Sequence, residues 1–221
     1  MAAVIDRKVK PYKGVNMEGP LADWYAKNTA GQSAEFQRLA AEIAAQLAPG
    51  AEVLEVAPGP GFLAIELARA GLAVTGLDIS RSFVRIATAS AARAGVAAKF
   101  EQGDAAQMPF EAQRFDFIAC RAAFKNFADP VGALREMRRV LKPGGRARLM
   151  DMRRDASDEA IASEVAQMGL KPLDALVTRG VLRSLRRRAY SETDLGRMIA
   201  EAGLSAEIEA GAVGFDIVLR P

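Results

Sequence analysis

The chain has 221 residues, the length of one domain, with 50% hydrophobic and 26% charged residues. A net charge of +3 is too small to indicate nucleic-acid binding. No apolar run approaches the roughly 20 residues that span a membrane. One cysteine, Cys120, and no histidine exclude an internal disulfide and argue against a zinc or iron site. The first residues lack the order of a secretory signal, so a cytoplasmic protein is expected.

Residues 1–31 are predicted to form an N-terminal arm and a short helix, the helix over residues 21–28. The arm is basic, with Arg7, Lys8, Lys10 and Lys13. Large side chains are concentrated in the same stretch, namely Tyr12, Met17, Trp24 and Tyr25. Two interpretations follow from this composition. The arm is either a flexible terminus or a segment that folds over a pocket.

Strands and helices alternate through residues 32–152, which indicates a parallel α/β sheet. The run from Val53 to Val56 predicts a buried strand, which the turn with Gly59 and Gly61 ends before an alanine-rich helix. Glycines there let a ligand approach the backbone, and the helix start adds unpaired N–H groups. Dinucleotides and S-adenosylmethionine both suit such a turn. The dinucleotide pattern G-x-G-x-x-G is incomplete, because Ala57 stands where a first glycine could be.

Acidic side chains follow the next two predicted strands. A carboxylate about 20 residues past such a turn, here Asp78, can accept hydrogen bonds from ribose hydroxyls. Its alternative role is to cap a helix, although Ser80 is the better-placed cap. Asp104, in the turn after the third strand, can bond its own backbone or accept from an amine such as that of adenine. The sequence leaves both roles of Asp104 open.

The remaining strands are predicted over residues 115–120 and 146–150. Ligands of parallel sheets bind beyond the carboxyl ends of the strands. We therefore expect Gly59, Asp78, Asp104 and Arg121 to meet at one edge. Residues 153–190 interrupt the alternation with an arginine-rich helix, which is either a solvated basic face or a cap that favours an anionic substrate. Residues 191–221 return to the same domain with a helix, capped at Ser191, and two edge strands.

Five stretches in order, residues 53–61, 74–78, 103–105, 115–120 and 141–145, resemble the class I S-adenosylmethionine-dependent methyltransferases. The resemblance is to the methyltransferase type 11 branch, which includes ubiquinone/menaquinone-biosynthesis enzymes. The resemblance implies a Rossmann-like seven-stranded sheet in the order 3-2-1-4-5-7-6, with strand 7 antiparallel and helices on both faces. It also implies positions for the cofactor. The methionine part would lie over Glu55, Ala57, Gly59 and Gly61, the ribose on Asp78, the adenine between Ile79 and Gly103-Asp104-Ala105, with Cys120, Arg121 and Tyr25 at the methionine end.

The chain departs from the family at two positions. Ala57 replaces the usual first glycine, which is tolerable if its backbone lies in an ordinary region. The loop after strand four reads Phe124-Lys125-Asn126-Phe127, where many relatives carry histidine, so a histidine base is excluded. The cysteine has a covalent role in some methyltransferases, but a small buried thiol is the better interpretation of Cys120.

The resemblance implies methyl transfer to an O, N or C nucleophile of a small molecule, which yields S-adenosylhomocysteine. Alignment is the expected main catalytic effect, and four groups are unranked candidates for a base: Tyr12, Lys125, Asp151 and Tyr190. Magnesium on Asp151 and Asp155 is conceivable, although no metal is expected. The alternatives are a nicotinamide-dependent dehydrogenase and a non-catalytic adenosylmethionine-binding or RNA-associated module. A homodimer is left open.

Overall fold

The computed structural model describes residues 12–14, 17–29 and 33–221 of the chain. Within these residues there are eight α-helices: α1 (Pro20–Thr29), α2 (Ser33–Ala44), α3 (Phe62–Arg69), α4 (Arg81–Ala94), α5 (Pro130–Val140), α6 (Asp158–Gln167), α7 (Pro172–Arg186) and α8 (Glu192–Glu201). The same residues form seven strands: β1 (Glu52–Val56), β2 (Ala73–Asp78), β3 (Ala98–Gln102), β4 (Phe115–Arg121), β5 (Leu141–Met152), β6 (Ser205–Ala210) and β7 (Gly214–Arg220).

All seven strands belong to one sheet in the order β3-β2-β1-β4-β5-β7-β6. Strands β1 to β5 pair in parallel, and β1 lies in the middle, with Val53 opposite Val74 on one side and Phe117 on the other. Strand β7 runs antiparallel to both β5 and β6. The strand order and the antiparallel β7 confirm the predicted fold.

Helices cover both faces of the sheet. Neighbouring residues of the central strands point to opposite sides and are apolar on both, so each face is buried under helices. Leu54 of β1 is fully buried in a cluster with residues of α5 and α8, including Leu134 and Leu195. Its neighbour Val53 is equally buried in a second cluster with residues of α2 and α3, including Leu39. This double burial explains why the β1 sequence is an almost continuous apolar run.

Strand β5 begins earlier than the sequence predicted. It starts at Leu141, directly after α5, where Leu141 pairs with Phe115, and regular pairing resumes at Arg146 opposite Phe117. The extra residues form a bulge at the glycine pair. Gly144 has a φ of 79°, and a Cβ on Gly145 would lie 3.0 Å from the Asp116 carbonyl oxygen. The Lys-Pro-Gly-Gly turn at residues 142–145 therefore lies inside the strand rather than before it.

We use the name cap segment for residues 153–190, which contain α6 and α7. None of the α7 residues is buried. Its apolar side is exposed, from Leu173 and Leu176 to Val181. Two arginines at the end of the helix, Arg183 and Arg186, bind Asp158 of α6 at 3.1 and 3.0 Å. The domain boundaries at residues 31, 152 and 190 stay predictions.

Among the described residues, no helix has the length and the apolar character that crossing a bilayer requires.

Candidate functional site

The turn after β1 has a left-handed backbone at three residues. Ala57, Gly59 and Gly61 have φ values of 57°, 54° and 85°. The condition under which Ala57 would be tolerated without strain, an ordinary backbone region, is therefore not met. Its N–H donates to the Leu77 carbonyl oxygen at 2.8 Å, which ties the turn to β2. Left-handed backbone costs an L-residue roughly 1–2 kcal/mol, so Ala57 keeps a strained conformation in this turn.

The two glycines of the turn face different surroundings. A Cβ on Gly59 would meet nothing closer than the Phe83 ring at 4.0 Å, so this backbone faces open space in a cavity. A Cβ on Gly61 would lie 2.9 Å from the Cβ of Ala87 and 3.1 Å from the Phe100 ring. Gly61 therefore allows the close packing of α4 and β3 against the turn, and it does not line the cavity.

Asp78 joins the end of β2 to the glycine turn. Its Oδ2 accepts from the Gly59 N–H at 3.0 Å, and its Oδ1 accepts from the Ser80 N–H at 2.9 Å. The helix cap of α4 is Ser80, as predicted, since its Oγ accepts from the Phe83 N–H at 3.0 Å. Burial raises the pKa of Asp78 to about 6. Each carboxylate oxygen has a second lone pair, so Asp78 can also bind a ligand in the cavity.

Glu55 is a buried carboxyl group whose hydrogen bonding is incomplete. Its side chain is 4% exposed, and its Oε2 is buried without a hydrogen-bond partner among the described residues. Burial raises the pKa of Glu55 to about 8, and the negative charge of Asp78 adds to the rise. A backbone hydrogen bond from Ala64 opposes this rise in pKa. The oxygen without a partner still makes the ionised form costly, and a cation in the cavity would reduce that cost.

A cavity of about 500 Å³ lies at the carboxyl ends of the strands. Most of the sequence-predicted site residues line it together: Tyr25, Glu55, Ala57, Gly59, Asp78, Ile79, Gly103, Asp104, Ala105 and Arg121. Asp104 also bonds its own turn, since its Oδ1 accepts from the Ala106 N–H at 2.9 Å. Arg121 forms an ion pair with Glu35 of α2. Its guanidinium therefore lies at the α2 side of the cavity.

Cys120 lies outside the cavity lining. Its side chain is 1% exposed and belongs to the core cluster under α5 and α8. Burial raises the pKa of the thiol well above its ordinary value, so the thiol is protonated at neutral pH. This environment fits the interpretation as a small buried thiol.

The described part of the N-terminal arm covers the cavity. Tyr12 and Gly14 line it, and the Lys13 N–H donates to the Asn126 carbonyl oxygen at 3.0 Å. The ammonium of Lys13 also donates to the Tyr190 hydroxyl at 3.2 Å. These contacts support the interpretation as an arm over a pocket for residues 12–14. Three of the basic residues of the predicted arm, Arg7, Lys8 and Lys10, lie outside the residues that the structure describes.

The candidate bases are engaged in other interactions. The buried Lys125 ammonium binds Asp151 Oδ1 at 2.7 Å and donates to the Ala122 carbonyl oxygen at 2.6 Å. The second oxygen of Asp151 accepts from the Lys125 N–H at 2.8 Å. Burial raises the pKa of Tyr12, which keeps its phenol protonated at neutral pH. An already engaged carboxylate or a protonated phenol is a poor general base.

The pair considered for magnesium is likewise engaged. Asp151 binds Lys125, and Asp155 binds Arg153 at 2.7 Å. Among the described residues there is no group of three histidine, cysteine, aspartate or glutamate side chains that could hold a metal ion. The described acidic residues therefore offer no built metal site.

Asn126 and Arg188 are among the cavity residues that the sequence reasoning missed. Asn126 is 5% exposed, and its Oδ1 is buried without a partner among the described residues. Arg188, at the end of the cap segment, also lines the cavity. Asn126 was considered as part of the loop after β4, and Arg188 as one of several cap arginines. No local pattern distinguishes a residue that faces a cavity from its exposed neighbours.

Comparisons with known proteins agree with this geometry. Residues 54–149 match the family model described as a methyltransferase domain. A demethylmenaquinone methyltransferase of Deinococcus radiodurans is 38% identical over 107 residues, which are 48% of this chain and 44% of the relative. A ubiquinone biosynthesis O-methyltransferase of Pseudomonas aeruginosa is 30% identical over 159 residues, or 72% of this chain and 66% of the relative. The chain thus spans about half to two thirds of these relatives.

Among solved structures, a Methanococcus maripaludis protein assigned to the S-adenosyl-L-methionine-dependent methyltransferases superimposes with a TM-score of 0.72 and 25% identity. The match covers 90% of this chain and 91% of that protein. The strand order, with a cavity beyond β1 and β2, defines a Rossmann-like methyltransferase fold. The chain belongs to the class I S-adenosylmethionine-dependent methyltransferases, in the methyltransferase type 11 branch.

The cavity residues fit the cofactor that this family implies. The unpartnered oxygen of Glu55 suits an ammonium group, and the remaining lone pairs of Asp78 suit a pair of hydroxyls. The open approach to Gly59 allows a ligand to lie against the backbone.

Proposed function

We propose that the protein transfers a methyl group from S-adenosylmethionine to a small-molecule acceptor. The observation that carries the proposal is the unpartnered Glu55 oxygen, which shares one cavity with Asp78 and the open backbone of Gly59. The names of the two relatives, a demethylmenaquinone methyltransferase and a ubiquinone biosynthesis O-methyltransferase, support a small-molecule acceptor.

We assign the cavity residues to parts of the cofactor as follows. Glu55 binds the ammonium group, Asp78 binds the ribose hydroxyls, and the adenine lies between Ile79 and the turn with Asp104. Tyr25 and Arg121 border the methionine end, and Ala57 and Gly59 form the floor under it. Gly61 and Cys120 support this site from behind the lining, Gly61 through helix packing and Cys120 through the core.

Alignment is the main catalytic effect in this proposal. The cofactor supplies an activated methyl group on its sulfonium. The protein holds the acceptor nucleophile in line with that group, and such positioning lowers a barrier by on the order of 7–11 kcal/mol. The candidate bases Lys125 and Asp151 bind each other, which supports a reaction whose rate follows the ionisation of the acceptor itself.

The cap segment and the arm form the cover of the cavity in this proposal, and the acceptor is anionic. A role of residues 179–188 in RNA binding receives little support, because Arg183 and Arg186 are paired with Asp158 and Arg188 lines the cavity. A cytoplasmic location stays a prediction from the sequence.

Calorimetric titration with S-adenosylmethionine, S-adenosylhomocysteine and NAD tests the proposal. We expect binding of the two sulfur compounds and no binding of NAD. The variant Glu55→Gln should lose affinity for both sulfur compounds, whereas Glu101→Gln, a change on the exposed part of β3, should not. Incubation with methyl-labelled cofactor and a panel of phenols and amines then measures transfer. Binding of NAD alone would support the dehydrogenase alternative and refute the proposal.

A further inference from the structure

Arg188 differs from the paired arginines of the cap segment. Arg153 and Arg154 bind Asp155 and Asp194, and two further arginines bind Asp158. Arg188 lines the cavity, yet its guanidinium has no ion pair or hydrogen bond with any residue of 12–14, 17–29 or 33–221. A half-buried guanidinium without a carboxylate partner suits an anionic ligand.

The position of Arg188 separates it from the proposed cofactor residues. Tyr190 forms a β-bridge with Arg153, which directly follows β5, so the end of the cap segment lies at the carboxyl end of β5. Asn126 follows β4, the neighbour of β5 in the sheet. Asp78 and Asp104 follow β2 and β3, on the other half of the sheet. Arg188 and Asn126 therefore border the cavity from the side of β4 and β5, whereas Asp78 and Asp104 border it from the side of β2 and β3.

The arm connects these two residues. The Lys13 N–H donates to the Asn126 carbonyl oxygen at 3.0 Å. At the next residue, a Cβ on Gly14 would lie 2.9 Å from Nη1 of Arg188 and 2.6 Å from the Tyr12 ring. A glycine at this position lets the guanidinium and the ring pack against the arm. The arm thus spans the distance from Asn126 to Arg188 along one wall of the cavity.

Asn126 adds a second polar group with no partner. Its Oδ1 is buried and accepts no hydrogen bond within the described residues, although its side chain is almost fully enclosed. Buried acceptors are almost always satisfied, so an unpartnered one in a residue that lines the cavity indicates a ligand that donates. A hydroxyl or amino group of an acceptor would be such a donor.

We propose that Arg188 and Asn126 form the acceptor subsite, and that the acceptor is an apolar molecule with a carboxylate for Arg188 and a hydroxyl or amino group for Asn126. This inference rests on the proposed function and names its substrate class. Aromatic and aliphatic side chains complete the lining, including Trp24, Phe127 and Leu185. The carboxylate of the cofactor could also bind Arg188. The experiment therefore distinguishes the carboxylate of the acceptor from that of the cofactor.

The test uses 2-hydroxybenzoate as a probe, because it carries both a carboxylate and a hydroxyl. We titrate it into the full chain saturated with S-adenosylhomocysteine. Arg188→Gln should weaken its binding by about 10- to 150-fold, the range for a lost hydrogen bond to a charged group. Arg188→Lys should weaken it less. The matched control Arg187→Gln removes the same charge from the exposed neighbouring residue and should leave binding unchanged. Asn126→Ala should reduce the preference for 2-hydroxybenzoate over benzoate.

The two sources of the carboxylate are distinguished with S-adenosylhomocysteine and 5′-methylthioadenosine, which lacks the amino-acid part. We expect Arg188→Gln to bind both as tightly as the unmodified protein. A loss for S-adenosylhomocysteine alone would mean that Arg188 holds the cofactor, which overturns the subsite. Equal binding of 2-hydroxybenzoate to Arg188→Gln, or none to the unmodified protein, also overturns it. No binding of S-adenosylhomocysteine to the unmodified protein would instead refute the proposed function. Melting curves of each variant verify folding.

Discussion

Replacement of Glu55 by glutamine tests the central group of the site. The two side chains have nearly the same size, but glutamine cannot ionise. In the folded protein burial raises the pKa of Glu55 from 4.5 to about 8, whereas the unfolded chain keeps the ordinary value. Between these two pH values the folded state holds a proton that the unfolded state has released. Stability from this group is therefore fully present below pH 4.5 and is lost as the pH rises to about 8.

The magnitude follows from the pKa shift. Each pH unit above the unfolded pKa costs about 1.4 kcal/mol while the folded state stays protonated. At pH 5 the cost is below about 1 kcal/mol, and at pH 7 it reaches roughly 3 kcal/mol. Glu55 is 4% exposed, so solvent screening reduces these values little. Glu55→Gln removes the pH-dependent part. Between pH 5 and pH 7, the free energy of unfolding of the variant should therefore rise by about 2–3 kcal/mol relative to that of the unmodified protein.

Urea unfolding at pH 5, 6, 7 and 8 measures this difference, with Glu101→Gln as the control on exposed β3. The free energy of unfolding of the control should follow the unmodified protein at every pH. Glu55→Gln should also bind S-adenosylhomocysteine more weakly, because the ammonium group of the ligand loses its anionic partner. If the stability of Glu55→Gln changes with pH as in the unmodified protein, then Glu55 is not a buried group with a raised pKa. The argument for a cation at this position would then fail.

Four further changes test the turn and the cavity. Ala57→Gly should raise the free energy of unfolding by roughly 0.5–1 kcal/mol in urea, because relief of left-handed strain exceeds the added entropy of glycine; a loss of stability would contradict the strain. Gly59→Val should abolish binding of S-adenosylhomocysteine in calorimetry, whereas Gly71→Val, at a similarly left-handed residue (φ 85°) that a Cβ leaves uncrowded, should keep it. Asp78→Asn should raise the dissociation constant about 10- to 150-fold, and an unchanged affinity would refute the ribose assignment. EDTA should leave transfer unchanged, and activity restored by magnesium after chelation would refute the metal-free site.

The fold was more predictable than the site because its signals are local. The strand before the glycine turn, the cap at Ser80 and the capping box at Ser191 each rest on residues close in sequence. The strand order came from the resemblance to a family rather than from periodicity. The early start of β5 was missed, because the bulge depends on how closely Gly145 approaches Asp116 of the neighbouring strand. Such a contact between strands has no local pattern.

The residues of the site were found where their chemistry coincides with a strand end. Asp78 and Asp104 are carboxylates after strands, and both line the cavity. The direction in which a side chain points was harder to predict from the sequence. Gly61 and Cys120 lie next to cavity residues but face helix packing and the core. Arg188 is one of several arginines in the cap segment. Its position in the cavity depends on the β-bridge between the nearby Tyr190 and Arg153, which is distant from both in the sequence.

Three departures from ordinary packing occur within this one part of the structure. Ala57 has left-handed backbone, Glu55 has an unpartnered buried oxygen, and Asp78 is a buried carboxylate whose pKa burial raises to about 6. Each lowers the stability of the ligand-free protein at neutral pH. Strained backbone and buried ionisable groups of this kind cluster at functional sites, where local rules are broken for a purpose other than folding. A ligand with a cationic group and hydroxyls explains Glu55 and Asp78 together, because it stabilises both carboxylates when it binds. Ala57 lies between them in the lining, and its left-handed backbone directs the chain into the turn that brings the Gly59 N–H to Asp78. The strained backbone and the two buried carboxyl groups are therefore best understood as properties of one binding site.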